Sequence, residues 1–114
     1  ITSEIMQKST PNSIFSRSSE SHNQDKVSLG FSAATQCSQI IDSSYNLMGA
    51  YLICLTQAID LRKIILKGDT SKNIYKLVRE HVNFIAKDRR LDTDLLNLTN
   101  ALKHHAKAFS SINK

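Results

Sequence analysis

Six consecutive polar residues, Glu20 to Asp25, carry the side chains of this sequence that are best suited to acid–base or binding chemistry. Glu20 offers a carboxylate that can accept a proton or hold an ammonium group. Asn23 and Gln24 offer amides that can satisfy buried polar partners without adding charge. Composition alone is equally consistent with an ordinary polar loop in front of a helix, so these residues by themselves predict no reaction.

The other residues with reactive side chains lack a useful spacing. His104 and His105 are adjacent and would point about 100° apart on a helix, so the sequence predicts no metal site. Cys37 and Cys54 lie within one predicted helical stretch, about 25 Å apart along its axis, which is too far for a disulfide. We therefore expect two buried free thiols and a cytoplasmic protein.

The charge and hydropathy of the chain argue against two classes of partner. The 114 residues carry 15 basic and 10 acidic side chains, and the charges are scattered along the sequence. Because no basic stripe is interleaved with aromatic residues, we expect no nucleic-acid partner. No apolar run reaches the roughly 18 residues of a membrane span, so we expect no membrane partner. The sequence lacks an initial Met, which predicts a fragment or a processed chain.

The polar cluster leads into a long stretch with the pattern of a helix. We expect residues 1–24 to form a loop with a short helical start, and residues 25–67 to form the long helix. Asp25 is the predicted N-cap, Gly68 the predicted left-handed C-cap residue, and a bend or short break is expected at 42–44. Apolar residues recur there at helical spacing and predict one apolar face: Ile41, Met48, Leu52, Leu55 and Ile59.

Two shorter helices are predicted in residues 68–114, so the expected fold class is all-α. Ser71 is the predicted cap of the first, and Asp92 or Thr93 of the second. Their predicted buried residues are Ile74, Leu77, Val78 and Val82, then Leu95, Leu98, Leu102, Ala106 and Phe109. Residues 110–114 are expected to fray. The long helix would measure about 60 Å, which the remaining residues are too few to cover. It is therefore predicted to belong to a larger helical bundle that includes more chain or more copies.

Two blocks of the sequence carry a resemblance to a known family. Glu20-Ser-His-Asn-Gln-Asp-Lys-Val-Ser-Leu-Gly30 and Gln57-Ala-Ile-Asp-Leu-Arg62 resemble the C-terminal part of the aromatic amino acid ammonia-lyases and aminomutases. These enzymes are built around a 4-methylideneimidazole-5-one prosthetic group. Ile14-Phe-Ser-Arg17 and the segment 88–94 add to the resemblance, which covers about residues 10–102.

The resemblance implies roles for individual residues. Glu20 would be catalytic and face the substrate amine beside the prosthetic group, and Asn23 and Gln24 would line the substrate pocket. His22 would have a supporting role, whereas Asp60 and Arg62 would be structural. Histidine ammonia-lyases carry a Glu where this sequence has Gln24, so the resemblance favours phenylalanine or tyrosine over histidine as the substrate.

The resemblance also implies an activity and an assembly. The activity is non-oxidative elimination of ammonia from an aromatic L-amino acid, giving an arylacrylate. The assembly is a cytoplasmic homotetramer with long helices gathered in a central bundle. The family makes its prosthetic group from an internal Ala-Ser-Gly, which is absent from this sequence, so we expect a C-terminal fragment that is inactive alone. Two alternatives stay open, an aromatic amino acid 2,3-aminomutase and a non-enzymatic helical interaction module.

Overall fold

The computed structural model describes the backbone of residues 1–112 and the side chains of residues 1–105. It confirms the all-α prediction, with helices α1 (Thr2–Lys8), α2 (Gly30–Leu61), α3 (Asp69–His81) and α4 (Asp92–Ile112). A short 3-10 helix, Asn12–Phe15, precedes α2. The chain divides into two compact units, Ile1–Ser44 and Tyr45–Lys114. None of the described helices is long and apolar enough to cross a membrane.

Helix α2 begins at Gly30, so the prediction that Asp25 caps a helix from Lys26 is wrong. The reason lies in Val27, whose backbone groups are already bonded to an earlier part of the chain. Its N–H donates to the carbonyl of Arg17 at 3.1 Å, and its carbonyl accepts the Ser16 hydroxyl at 2.8 Å. In a helix from Lys26 the Val27 carbonyl would accept an N–H from the next turn, but here it accepts the Ser16 hydroxyl instead.

Helix α2 continues through residues 42–44, where the sequence predicts a bend or short break. Serine is a weak helix former because its hydroxyl competes for backbone groups. Here the Ser44 hydroxyl donates to the carbonyl of Ile40, one turn earlier, at 2.8 Å. The hydroxyl is therefore satisfied on the helix itself, and the helix is not interrupted.

The end of α2 is a Schellman motif built on Lys63 instead of glycine. Lys63 has φ 53°, its N–H donates to the Asp60 carbonyl at 3.1 Å, and the Ile64 N–H donates to the Ile59 carbonyl at 3.0 Å. These are the two bonds that define the motif. Gly68 has φ −83° and is the N-cap of α3, so its predicted role as the left-handed cap is wrong, as is the predicted Ser71 cap.

The second unit is held by a core that α2, α3 and α4 share. Ile53, Val78, Val82 and Leu98 are buried, which confirms three residues of the predicted faces of the two shorter helices. Half-buried apolar side chains surround them: Leu52, Ile85, Leu95 and Leu102. The predicted core positions Ala106 and Phe109 lie outside the described side chains, and part of the predicted frayed tail lies outside the described residues.

The buried face of α2 is only in part the one that its apolar residues predict, because Leu52 packs against the core and Ile59 is half-buried. Gly49, Ile53 and Thr56 are its buried residues, whereas Met48 and Leu55 are exposed. Gly49 lets α4 approach closely, because a Cβ there would lie 2.9 Å from Leu95 Cδ1 and 3.2 Å from Thr99 Oγ1. Hydrophobicity ranks a glycine and a threonine below a methionine and a leucine, but close packing of two helices favours the smaller residues.

Both cysteines are exposed, and so are three residues of the predicted apolar face of α2. Ile41 is exposed like Met48 and Leu55, and so are both thiols. Cys37 and Cys54 are free, as predicted, but both are exposed, so the expectation that they are buried is wrong for this chain.

The block Gln57 to Arg62 fastens the end of α2 to the rest of the second unit. Gln57 Nε2 donates to the Ile85 carbonyl at 2.9 Å, and the Ile85 N–H donates back to Gln57 Oε1 at 3.1 Å. Asp60 accepts the Tyr75 hydroxyl at 2.5 Å and Arg79 Nη2 at 2.6 Å. The structural role predicted for Asp60 follows from these two bonds, while Arg62 is exposed.

Candidate functional site

The polar cluster lies in a loop whose two ends are fastened together by one serine. Ser16 Oγ donates to the Val27 carbonyl at 2.8 Å and accepts the Val27 N–H at 3.1 Å. The same N–H also donates to the Arg17 carbonyl. Ser16 and Val27 are half-buried, so these bonds are partly shielded from competing water. We call residues 16–27 the closed loop.

A second set of hydrogen bonds lies inside the closed loop. Ser19 and Gln24 form an isolated antiparallel bridge, with the Ser19 N–H donating to the Gln24 carbonyl at 3.0 Å and the Gln24 N–H donating back at 3.3 Å. The Ser19 hydroxyl also donates to Gln24 Oε1 at 3.4 Å. The Asn23 N–H donates to the Glu20 carbonyl at 3.0 Å and closes the turn at the tip.

The tip of the closed loop has an uncommon backbone. Glu20, Ser21 and His22 have φ 52°, 53° and 69°, so three successive residues are left-handed without a glycine among them. This conformation costs L-residues roughly 1–2 kcal/mol each. A single further bond crosses the tip, between Ser18 Oγ and His22 Nδ1 at 2.8 Å. Backbone strain of this kind persists only where surrounding contacts over-determine it, and it clusters at functional sites.

The structure brings the three predicted site residues together on this one turn. Glu20, Asn23 and Gln24 are all exposed on the chain, so their side chains are available to a molecule or a chain segment that covers the loop. One carboxylate and two amides can accept hydrogen bonds from an ammonium group and donate to polar oxygens. Together they form an exposed polar surface with one carboxylate and two amides.

Two grooves of the first unit lie beside other residues. One is lined by Gln7, Lys8, Thr10, Phe15 and Gln36, and the other runs along the base of the closed loop, beside Ser13, Val27 and Leu29. Neither is bordered by Glu20, Asn23 or Gln24. The described residues also hold no group of three His, Cys, Asp or Glu side chains that could bind a metal ion.

Sequence reasoning missed the residues that shape the closed loop. Ser16 and Ser18 make the bonds that fasten its base and its tip, yet they stand in a serine-rich stretch that reads as unstructured. The signal that could have found Ser16 is its place in the block 14–17, which belongs to the family resemblance. We find no sequence signal for Ser18.

Comparisons with known proteins agree on one family. A family model described as aromatic amino acid lyase matches residues 1–80, which include the closed loop. The chain is 32% identical over 95 residues to a histidine ammonia-lyase of Natranaerobius thermophilus, covering 83% of this chain and 19% of that protein. It is 33% identical over 95 residues to that of Caldanaerobacter subterraneus subsp. tengcongensis, with the same coverage.

A third relative is similar to the same extent. The histidine ammonia-lyase of Bacillus thuringiensis is 33% identical over 93 residues, which cover 82% of this chain and 18% of that protein. The chain thus spans about a fifth of the length of the curated relatives it matches. No solved structure matches it.

Proposed function

We propose, because this chain belongs to the aromatic amino acid lyase family, that its parent protein eliminates ammonia non-oxidatively from an aromatic L-amino acid to give an arylacrylate. The observation that carries the proposal is the closed loop. It lies within the family match and presents Glu20, Asn23 and Gln24 on one internally bonded turn. Since the chain spans about a fifth of its relatives, the other catalytic groups are proposed to come from elsewhere in the parent.

Each residue of the loop has a proposed role in this reaction. Glu20 is proposed to face the substrate ammonium and to hold it by hydrogen bonding and charge until it departs as ammonia, while a base from another segment of the parent takes the β-proton. Asn23 and Gln24 are proposed to hydrogen-bond polar groups of the pocket. Because both amides are neutral, they can do so without a counter-charge.

The prosthetic group expected for the family is 4-methylideneimidazole-5-one, which supplies an electrophile when it is present. The exposed carboxylate and amides of the closed loop fit the border of a pocket beside such a polar group. None of them can form it, because it arises from Ala-Ser-Gly and this sequence contains none. We propose that another segment of the parent supplies it.

The identity of residue 24 bears on the substrate. A neutral amide suits the uncharged ring of phenylalanine or tyrosine, whereas a carboxylate would pair with an imidazole. Gln24 therefore supports phenylalanine or tyrosine. Histidine is the second candidate, because the similar proteins reported above are named histidine ammonia-lyases.

The test is a deamination assay of the full-length parent, which follows arylacrylate absorbance with phenylalanine, tyrosine and histidine. A Gln24→Glu variant should lose activity on phenylalanine or tyrosine, and Gln39→Glu, the same change at an exposed position of α2, should not. Activity on histidine alone would reject the substrate proposal and keep the reaction. Inactivity on all three amino acids would reject the reaction.

The exposed face of α2 supports a proposal about assembly. Met48, Tyr51 and Leu55 are 51%, 59% and 39% exposed, although they are large apolar side chains on one side of the helix. We propose that a homo-oligomer, a tetramer in the parent, covers them. The 114-residue chain should then sediment as a dimer or tetramer at tens of micromolar, and a folded monomer would contradict the proposal.

The cytoplasm is the proposed location, since free thiols such as Cys37 stay reduced there.

A further inference from the structure

We propose that Ser18 and His22 are positioning residues, which pin the left-handed tip of the closed loop and thereby fix the direction of the Glu20 carboxylate. The inference rests on the proposed function, because it assigns Glu20 to the reaction. It goes beyond that function by assigning a task to two side chains that do not themselves need to touch the substrate.

The need for a pin follows from the backbone. Glu20 is the first of three successive residues with positive φ, and neither a glutamate nor a serine nor a histidine favours that region as glycine does. Without other contacts, a turn of this kind would relax to more extended or right-handed conformations. The direction of the Glu20 side chain would change with the φ of its own residue.

The Ser18–His22 bond has the placement that such a pin requires. It joins Ser18 Oγ to His22 Nδ1 at 2.8 Å, and its two residues stand on either side of Glu20, two positions away in each direction. The only other side-chain bond across the tip that the described residues show, from Ser19 Oγ to Gln24 Oε1, is longer at 3.4 Å. The base of the loop is fastened separately at Ser16, so the pin acts on the tip alone.

The pin does not depend on one protonation state of the imidazole. A neutral ring can accept the serine hydroxyl at Nδ1, and a ring that carries a proton on Nδ1 can donate to the serine oxygen. The bond can therefore form with either tautomer of the ring. Its contribution is geometric, and its loss should be felt wherever the Glu20 carboxylate has to meet the substrate.

The experiment uses the full-length parent and its deamination kinetics. Ser18→Ala and His22→Ala should each lower kcat/KM by roughly three- to tenfold, the effect of one net hydrogen bond. Ser38→Ala, the same change at an exposed serine of α2, should leave kcat/KM unchanged. His22→Asn should recover most of the activity, because asparagine tolerates positive φ and its side-chain amide can reach the Ser18 hydroxyl.

A double-mutant cycle separates positioning from a general structural effect. If the pin acts through Glu20, adding Ser18→Ala to a Glu20→Gln variant should cause almost no further loss. Additive losses would overturn the inference, and so would a loss matched by a fall in the thermal unfolding midpoint. An active parent that is impaired by Glu20→Gln but unaffected by Ser18→Ala would refute the pin alone. A parent inactive on every aromatic amino acid would refute the proposed function and, with it, this inference.

Discussion

Two arginines of this chain make ion pairs with the same N···O distance in very different surroundings, which permits a matched test of what holds the second unit together. Arg79 Nη2 lies 2.6 Å from Asp60, and the two side chains are only 16% and 24% exposed. Arg90 Nη2 also lies 2.6 Å from its partner Asp92, but those side chains are 89% and 60% exposed. Replacing each arginine by methionine removes the charge and keeps most of the aliphatic stem.

The expected magnitudes follow from the contacts. Arg79→Met removes a charge-assisted bond to Asp60 of about 1.5–3 kcal/mol, and a bond to the Val82 carbonyl of about 1 kcal/mol. Part of this loss is offset, because Arg79 Nε is buried without a hydrogen-bond partner in the described part of the chain, and its removal regains about 1 kcal/mol. The net destabilisation is about 1.5–3 kcal/mol. Arg90→Met should cost less than about 0.5 kcal/mol, as solvated ion pairs do.

The assay is urea unfolding of the chain and both variants, followed by far-UV circular dichroism, with the free energy of unfolding obtained from the midpoint and slope. The midpoint should fall clearly for Arg79→Met and hardly at all for Arg90→Met. Equal effects of the two substitutions would refute the reasoning, because they would show that burial of the pair does not determine its contribution.

Three further predictions concern single contacts. Lys63→Gly should raise the free energy of unfolding by about 0.5–1 kcal/mol, because glycine adopts φ 53° without Cβ strain, whereas Lys63→Ala should leave it unchanged in urea unfolding. Gln57→Ala should lower the free energy of unfolding by about 1–2 kcal/mol and speed hydrogen exchange at the Ile85 amide, because both hydrogen bonds between these residues are lost. Unchanged exchange at Ile85 would contradict this role of Gln57. The Lys8 ammonium lowers the pKa of Glu4, so the stabilisation from this pair is present above the ordinary pKa of the carboxyl and is lost as pH falls through the lower, folded-state pKa. An NMR titration should show the Glu4 pKa returning to its usual range in Lys8→Met.

The helices could be predicted where their limits and buried faces depend on the local sequence pattern. They could not be predicted where these depend on contacts between residues far apart in the sequence. The three-to-four spacing around Val78 and Leu98 predicts two helices with buried faces; both helices are present and both residues are buried, although Ile74, predicted to be buried with them, is exposed. The start of α2 depends on Val27, whose backbone groups bond to Ser16, eleven residues earlier. The buried face of α2 depends on the fit of Gly49 against α4, which no hydropathy pattern contains.

The same distinction applies to the candidate site. The residue types of Glu20, Asn23 and Gln24, and their place in one loop, could be predicted from the sequence. The left-handed tip could not, because Glu20 and Ser21 belong to types that rarely adopt positive φ. Their conformation comes from bonds across the loop, such as that of Ser18 with His22, and these bonds become visible only when the fold brings both ends together.

The closed loop, which we propose as part of a site, is organised by contacts of its own residues. Ser16 is bonded to Val27 at its base, Ser19 to Gln24 inside it, and Ser18 to His22 at its tip, so the strain at Glu20 is offset by contacts that need no substrate. A glutamate whose backbone is held in this way loses little backbone entropy when a pocket forms around it. In the proposed site, other chain segments therefore need to supply walls, reactive groups and contacts that order the exposed Glu20 side chain, but they do not need to order the backbone that carries it.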